Sequence, residues 1–431
     1  MATPSYTWLR FLKLALLVPL LAFGLEAAVE PKGGAASNRG EVELFRQVAQ
    51  KAQPAVAAMM GLPQGELVQV TMMTRQELKQ FLVATLELEY PDGALAKFGR
   101  CSAEIGLLPR GYDLASGMID LVGEQAGAVY DPYSKSLKGL LDLPPALKAI
   151  PVQKLIVSHE LCHALEDRVI DIAARSRLAL DNVDYSYALR STIEGIATVV
   201  MLAYSQDLPP DKLPDARAVM RGSFIQKERD PNQKTLADSP RYLRETLFSP
   251  YAEGSAFAQA WLKANPDLKL GAMLERMPVS AEQVLHFEKY VEGDEPTAVD
   301  VVGLEDLMPD GWSRFHADTY GEFDLRLLFE SHGSTRDRAA DLASGWDGLR
   351  VMAFEDSSER LALVGASVWD TEADAAEFSE GFSQVLSDLH SPGEFRVARR
   401  GRWVDFVAGP VSDAAAAQIL GAVARKNRVS D

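Results

Sequence analysis

His159-Glu160-Leu161-Cys162-His163 is the feature that most constrains this chain. Two histidines four residues apart lie on one face of a helix, so both rings can converge on a single ion. Glu160 sits about 100° round the helix from His159. It is therefore beside such an ion rather than on it, where a carboxylate can take a proton from water that the metal acidifies. Leu155, Ile156, Leu161, Cys162, Leu165, Val169 and Ile170 give the surrounding helix its apolar faces. The chain has only six histidines, so chance would produce the pattern in on the order of one such sequence in a hundred.

A catalytic zinc needs a third protein ligand and an open position. The run Arg190-Ser191-Thr192-Ile193-Glu194-Gly195-Ile196-Ala197-Thr198 offers one carboxylate in a nearly apolar helix. Left unpaired in a core, Glu194 would be costly. Gly195 and Ala197 remove bulk beside it, which lets two helices pack closely. The competing reading pairs Glu194 with Arg190, but with the basic residue first that is the weaker order on a helix. The expected metal set is therefore His159, His163 and Glu194, with Zn2+ as the ion and Glu160 as the base. Asp167, one turn after His163, is a candidate acceptor for a ligand ring N–H, with a solvated surface carboxylate as the equal alternative; Asp171 and Glu166 are weaker candidates for the role.

His159-Glu160-x-x-His163 followed 31 residues later by Glu194 resembles the gluzincins, the thermolysin-like zinc metallopeptidases. More narrowly, His-Glu-Leu-Cys-His-Ala-Leu-Glu-Asp, Glu-Gly-Ile-Ala-Thr and the run Glu282 to Tyr290 resemble a group of bacterial exported proteins predicted to be zinc metallopeptidases. The likeness runs from about Ala126 to Trp369 and includes Gly345-Trp346. It implies a zincin-like fold and peptide-bond hydrolysis. By the same resemblance the hairpin preceding the zinc helix is either an edge that holds extended substrate or a plain edge hairpin. One departure is Thr198, where thermolysin has an acidic residue four positions after its glutamate ligand.

Amide hydrolysis also needs a donor for the oxyanion. His286 and Tyr290, one turn apart on a helix expected over Glu282–Val291, are candidates, and so is Tyr251. Each has a structural alternative as a packed or hydrogen-bonded core residue. His316, His332 and His390 belong to no pattern and read as structural. Trp346 and Trp403 read as core of a C-terminal domain.

The first thirty residues are a different material. Arg10 and Lys13 precede an apolar run from Leu14 to Leu25, about a dozen residues where a membrane span needs roughly 20. This suits a secretory signal with cleavage after Ala22-Phe23-Gly24 or Leu25-Glu26-Ala27, the alternative being an uncleaved membrane anchor. Residues 1–29 are thus read as signal or anchor and 30–40 as a linker. Residues 41–305 are read as the metallopeptidase domain, and 306–431 as a smaller α+β sandwich domain. The fold class is α+β, mostly helical in the first domain with a small edge hairpin (Ala126–Tyr130 and Ser136–Leu141). A helix is expected from about Val152 to Ser176 and another over Tyr185–Tyr204, while Pro209–Leu243 reads as a loop with short helical pieces.

A formal net charge of −17 argues against nucleic acid, since no basic surplus exists to displace counterions. The expected partner is a peptide or protein substrate. The sequence leaves oligomeric state open. Cys101 and Cys162 are the only cysteines; export would permit a disulfide, but Cys162 on an apolar helix face favours a free buried thiol. The expected function is an exported zinc metallopeptidase. The alternatives are a zinc amidase acting on cell-wall or other non-protein amides, and an exported binding or assembly protein with a vestigial zinc site.

Overall fold

The chain's N-terminal part is built by capped helices around one short sheet. The computed structural model describes residues 16–19, 35–301 and 303–427. The expected signal or anchor therefore lies outside the described residues except for strand β1 (Leu16–Pro19). Helix α1 (Ala35–Met60) and strand β2 (Gln69–Met73) follow. Thr74 then caps α2 (Arg75–Glu89), accepting from the Glu77 N–H while Glu77 accepts from the Thr74 N–H, a reciprocal capping box. Next come α3 (Ala94–Ile105), α4 (Leu114–Gln125), β3 (Ala126–Asp131) and β4 (Ser136–Leu140). The long helix expected to reach Ser176 is two: α5 (Ile150–Ile170) and α6 (Ile172–Arg177). Asp171 separates them with φ of 46° and uses its side chain to cap α6. Asn182 caps α7 (Val183–Ser205).

The stretch read as a loop from Pro209 contains α8 (Ala216–Arg229) and α9 (Lys234–Asp238). Ala216, Met220 and Phe224, four residues apart, are the buried apolar stripe of α8; only the polar majority between them disguised it. α10 (Arg241–Ala264), α11 (Ala281–Leu285) and α12 (Phe287–Glu292) complete this part.

The hairpin is present but is not a free edge. The sheet order is β1-β3-β4-β2, with β2 parallel to β4 and β1 antiparallel to β3. In the full chain the β3 edge expected to receive extended substrate pairs with the backbone of Leu16–Pro19, Leu16 opposite Tyr130; removal of residues 1–29 as a signal would free that edge. Among the described residues no helix is long and apolar enough to cross a membrane.

Strand β5 (Ser313–Thr319), which has no counterpart in the sequence reading, opens the C-terminal part. It continues with α13 (Glu322–Ser331), α14 (Arg336–Ala343), β6 (Trp346–Glu355), β7 (Leu361–Trp369), α15 (Glu372–Leu389), β8 (Phe395–Arg400), β9 (Trp403–Ala408) and α16 (Asp413–Asn427). The sheet is antiparallel throughout in the order β5-β6-β7-β9-β8. Successive residues point to opposite faces. Val351, Ala353, Leu363 and Phe406 thus pack with α15 in the main core, whereas Met352, Phe354, Val364 and Val407 pack with α16 in a second one. The main core is continuous from α1 through α7 and α10 to Phe323, Trp346 and Phe378. The C-terminal sheet is thus part of the scaffold that carries the helices before it.

Two glycines set the spacing of the central helices. A Cβ on Gly195 would fall 2.2 Å from the Gly254 carbonyl oxygen, and one on Gly254 would fall 2.0 Å from that of Ser191. The small residue beside Glu194 therefore admits α10. Gly195→Ala should cost about 1–3 kcal/mol or more through overpacking, seen as a lower denaturant midpoint. Gly222→Ala, on α8 with nothing within 4 Å of its would-be Cβ, should leave the midpoint unchanged or raise it. Equal effects of the two changes would contradict the close approach.

Candidate metal centre

Helices α5 and α7 pack together within the main core, and their facing side chains meet in a buried cluster. His159 and His163 are fully buried and Glu194 is 1% exposed. Ligand atoms from all three lie within 4.8 Å of one another, a group that could hold a metal ion. His159 Nε2 is 3.0 Å from Glu194 Oε2, and His163 Nε2 is 3.7 Å from the same oxygen. The two rings stand nearly perpendicular, at 84° with centroids 4.5 Å apart. Glu194 faces these rings, and among the described residues Arg190 has no hydrogen bond or ion pair.

The orphaned atoms fit an ion. His163 Nε2 is buried with no hydrogen-bond partner, a state that typically costs about 1–3 kcal/mol. Its other nitrogen, Nδ1, is 2.9 Å from Glu166 Oε2; a proton held there leaves the Nε2 lone pair directed at the cluster. Burial, and then the neighbouring His159, lower the His163 pKa well below the usual histidine value. The ring is therefore neutral, the form that binds metal.

The orienting carboxylate is Glu166 rather than the candidate Asp167. Asp167 turns the other way: it accepts from the Tyr130 hydroxyl at 2.8 Å, the Lys135 ammonium at 2.6 Å and the Ile172 N–H at 2.9 Å. It thereby ties the β3–β4 hairpin to the junction of α5 and α6. Asp171 is spent on capping. His159 has no such support: its Nδ1 and the Thr198 hydroxyl are both buried without a hydrogen-bond partner. The departure noted at Thr198 thus leaves the two histidines unequally held.

Glu160 is fully buried, and neither of its carboxylate oxygens has a hydrogen-bond partner. Burial, then the charge of Glu194, push its carboxyl pKa well above the ordinary range, and the backbone of Tyr130 on β3 opposes this in part. Once ionised, a carboxylate so placed is a strong proton acceptor.

Of the three expected oxyanion donors, only Tyr251 belongs to this centre. Its ring stacks on His159 with centroids 5.7 Å apart and 21° between planes. Burial raises its pKa well above the usual value, and the charge and hydrogen bond of Glu194 raise it further. The helix expected over Glu282–Val291 breaks at His286 (φ −126°, ψ 88°), between α11 and α12. His286 and Tyr290 therefore do not share a helical face. His286 Nε2 is 3.0 Å from Glu322 and 3.2 Å from Arg326, while the Tyr290 hydroxyl donates to the Arg276 carbonyl at 2.7 Å. These partners tie the segment to its neighbours, and neither residue joins the cluster. Lys289, in the same run, reaches Glu282 at 2.8 Å, Asp294 at 3.0 Å and Asp370 at 2.6 Å. The third motif is thus a structural junction with the C-terminal sheet. Both cysteines are free and buried, with the Cys162 thiol donating to the Ser158 carbonyl at 3.2 Å.

Residues 311–419 match a family described as a domain of unknown function, DUF8575. This span starts before β5 and ends within α16, so it contains the whole C-terminal sheet and none of the metal cluster. No curated protein and no solved structure matches the chain.

Glu166→Ala should weaken zinc binding by about 10–100-fold, as loss of an orienting partner does. Asp167→Asn should leave zinc affinity nearly unchanged while lowering thermal stability. Metal-competition titrations of the two variants check this, and the reverse ranking would return the orienting role to Asp167.

Proposed function

We propose that the chain is a zinc-dependent metallopeptidase of gluzincin type, with His159, His163 and Glu194 as the metal ligands. What carries the reading is the convergence of three buried ligand atoms, one of them unpartnered, with Glu160 one residue along the same helix. The ligand chemistry of two imidazoles and one carboxylate suits zinc. An ion there would polarise a peptide carbonyl and acidify water. The remaining work falls to the chain itself. Glu160 takes the proton from the attacking water and delivers it to the leaving amine. Tyr251, hydrogen-bonded to Glu194 and stacked on His159, is the candidate donor to a developing oxyanion. The apolar run near the N-terminus supports export, and the resemblance supports a zincin-like arrangement of α5, α7 and β3.

Complete burial of the cluster favours a second reading, in which an ion staples α5 to α7 and no substrate reaches it. A structural site has no need of a base, so Glu160 discriminates the two. Glu160→Gln should retain one zinc per chain and the native thermal midpoint, yet lose at least about 10²-fold in cleavage of a peptide library. If the unaltered, zinc-loaded chain cleaves nothing in that library, or the variant cleaves as fast, the structural reading stands instead.

A further inference from the structure

A cavity lies along α7 from the metal cluster. It encloses about 860 Å³ of empty space, its open mouth included, between α3, α4, the starts of α7 and α10, β5 and α13. Leu95, Phe98, Leu114 and Met118 give it an apolar wall. Across from them α7 contributes Val183, Ser186, Tyr187 and Arg190. These positions follow the i, i+3, i+4, i+7 stripe of one helical face, and the next residue on that stripe is Glu194. The spacing from Arg190 to Glu194 is one turn, a rise of about 6 Å. α10 runs the same way, from Tyr242 and Leu243 in the cavity wall to Tyr251 at the cluster.

Most polar groups in this wall are already satisfied. Asp318 accepts from the Val183 and Thr319 N–H groups and contacts His316. Asp324 accepts from the Tyr242 hydroxyl and the Gly321 N–H. Tyr187 is bonded to Ser249. Arg190 is the charged exception: a partly buried guanidinium that has no hydrogen bond or ion pair among the described residues. A cation in an apolar wall without a partner is costly. Its five donors in a rigid fork match a carboxylate.

We propose that this cavity receives the C-terminal residue of a peptide, with a bulky apolar side chain against Phe98, Leu114 and Met118 and the free carboxylate on Arg190. The proposal deepens the peptidase reading and rests on it for the consequence. The cavity wall contains no residue of the cluster itself, so cleavage requires a path to open along α7; an extended chain advances about 3.3–3.6 Å per residue, and one helical turn then corresponds to one or two residues. The enzyme would then trim short pieces from peptide C-termini.

The binding half of this is tested without turnover. The full chain carrying Glu160→Gln is titrated calorimetrically with N-acetyl-Ala-Phe and with its C-terminal amide. The acid should bind at least about tenfold more tightly, as a charged hydrogen-bonded pair warrants. Adding Arg190→Gln should erase that preference while leaving amide affinity within about twofold. Met118→Trp, which fills the cavity and keeps Arg190, should weaken both ligands. Equal binding of acid and amide, a preference that survives Arg190→Gln, or no binding of either ligand would overturn the proposal. Failure of the peptidase reading shows separately, as intact binding with no cleavage by the unaltered chain.

Discussion

Glu194 is a carboxylate set in a helix that is otherwise almost wholly apolar, and the packing around it answers the cost of burying it. Transferred alone into a protein interior, such a group would give up its charge or unfold its surroundings. Here one of its oxygens lies against the imidazoles of His159 and His163 from α5, and Tyr251 approaches from α10. That approach depends in turn on Gly195 and Gly254, whose missing side chains let backbone meet backbone. Three helices are thus fixed relative to one another by one buried polar junction, with the apolar core closing round it. An ion at this junction would convert its residual mismatch, an unpartnered His163 nitrogen, into a bond.

The parts of this that were legible in the sequence are those governed by short, repeating geometry. Four-residue spacing placed His159 and His163 on one face, and the isolation of Glu194 in an apolar run marked it as needing partners. Gly195 signalled a close approach, although the helix it admits is α10 rather than α5. The α+β character of the chain beyond residue 306 was equally legible, strands and helices alternating there as expected.

What escaped were features decided by direction or by chain breaks. Glu166 and Asp167 stand three and four residues from His163, and only the ring's orientation selects the first. His286 and Tyr290 were placed on one face by assuming a continuous helix, but His286 leaves helical geometry and its ring is held by Glu322 and Arg326. α8 was hidden by its polar residues, although Ala216, Met220 and Phe224 kept the helical interval. The pairing of β1 with β3 joins segments more than a hundred residues apart, and no local pattern announces such a contact. The continuity of the main core across residue 306 was equally invisible, because it depends on which sheet face meets the helices.

Diffraction at the zinc absorption edge from crystals of the zinc-supplied protein tests most directly whether His159, His163 and Glu194 hold an ion. One anomalous peak should lie at bonding distance, about 2.0–2.2 Å, from a ring nitrogen of His159, a ring nitrogen of His163 and a carboxylate oxygen of Glu194, with Glu160 adjacent and unbound. A peak held by other residues, or none between α5 and α7 when zinc is in excess, would contradict that assignment.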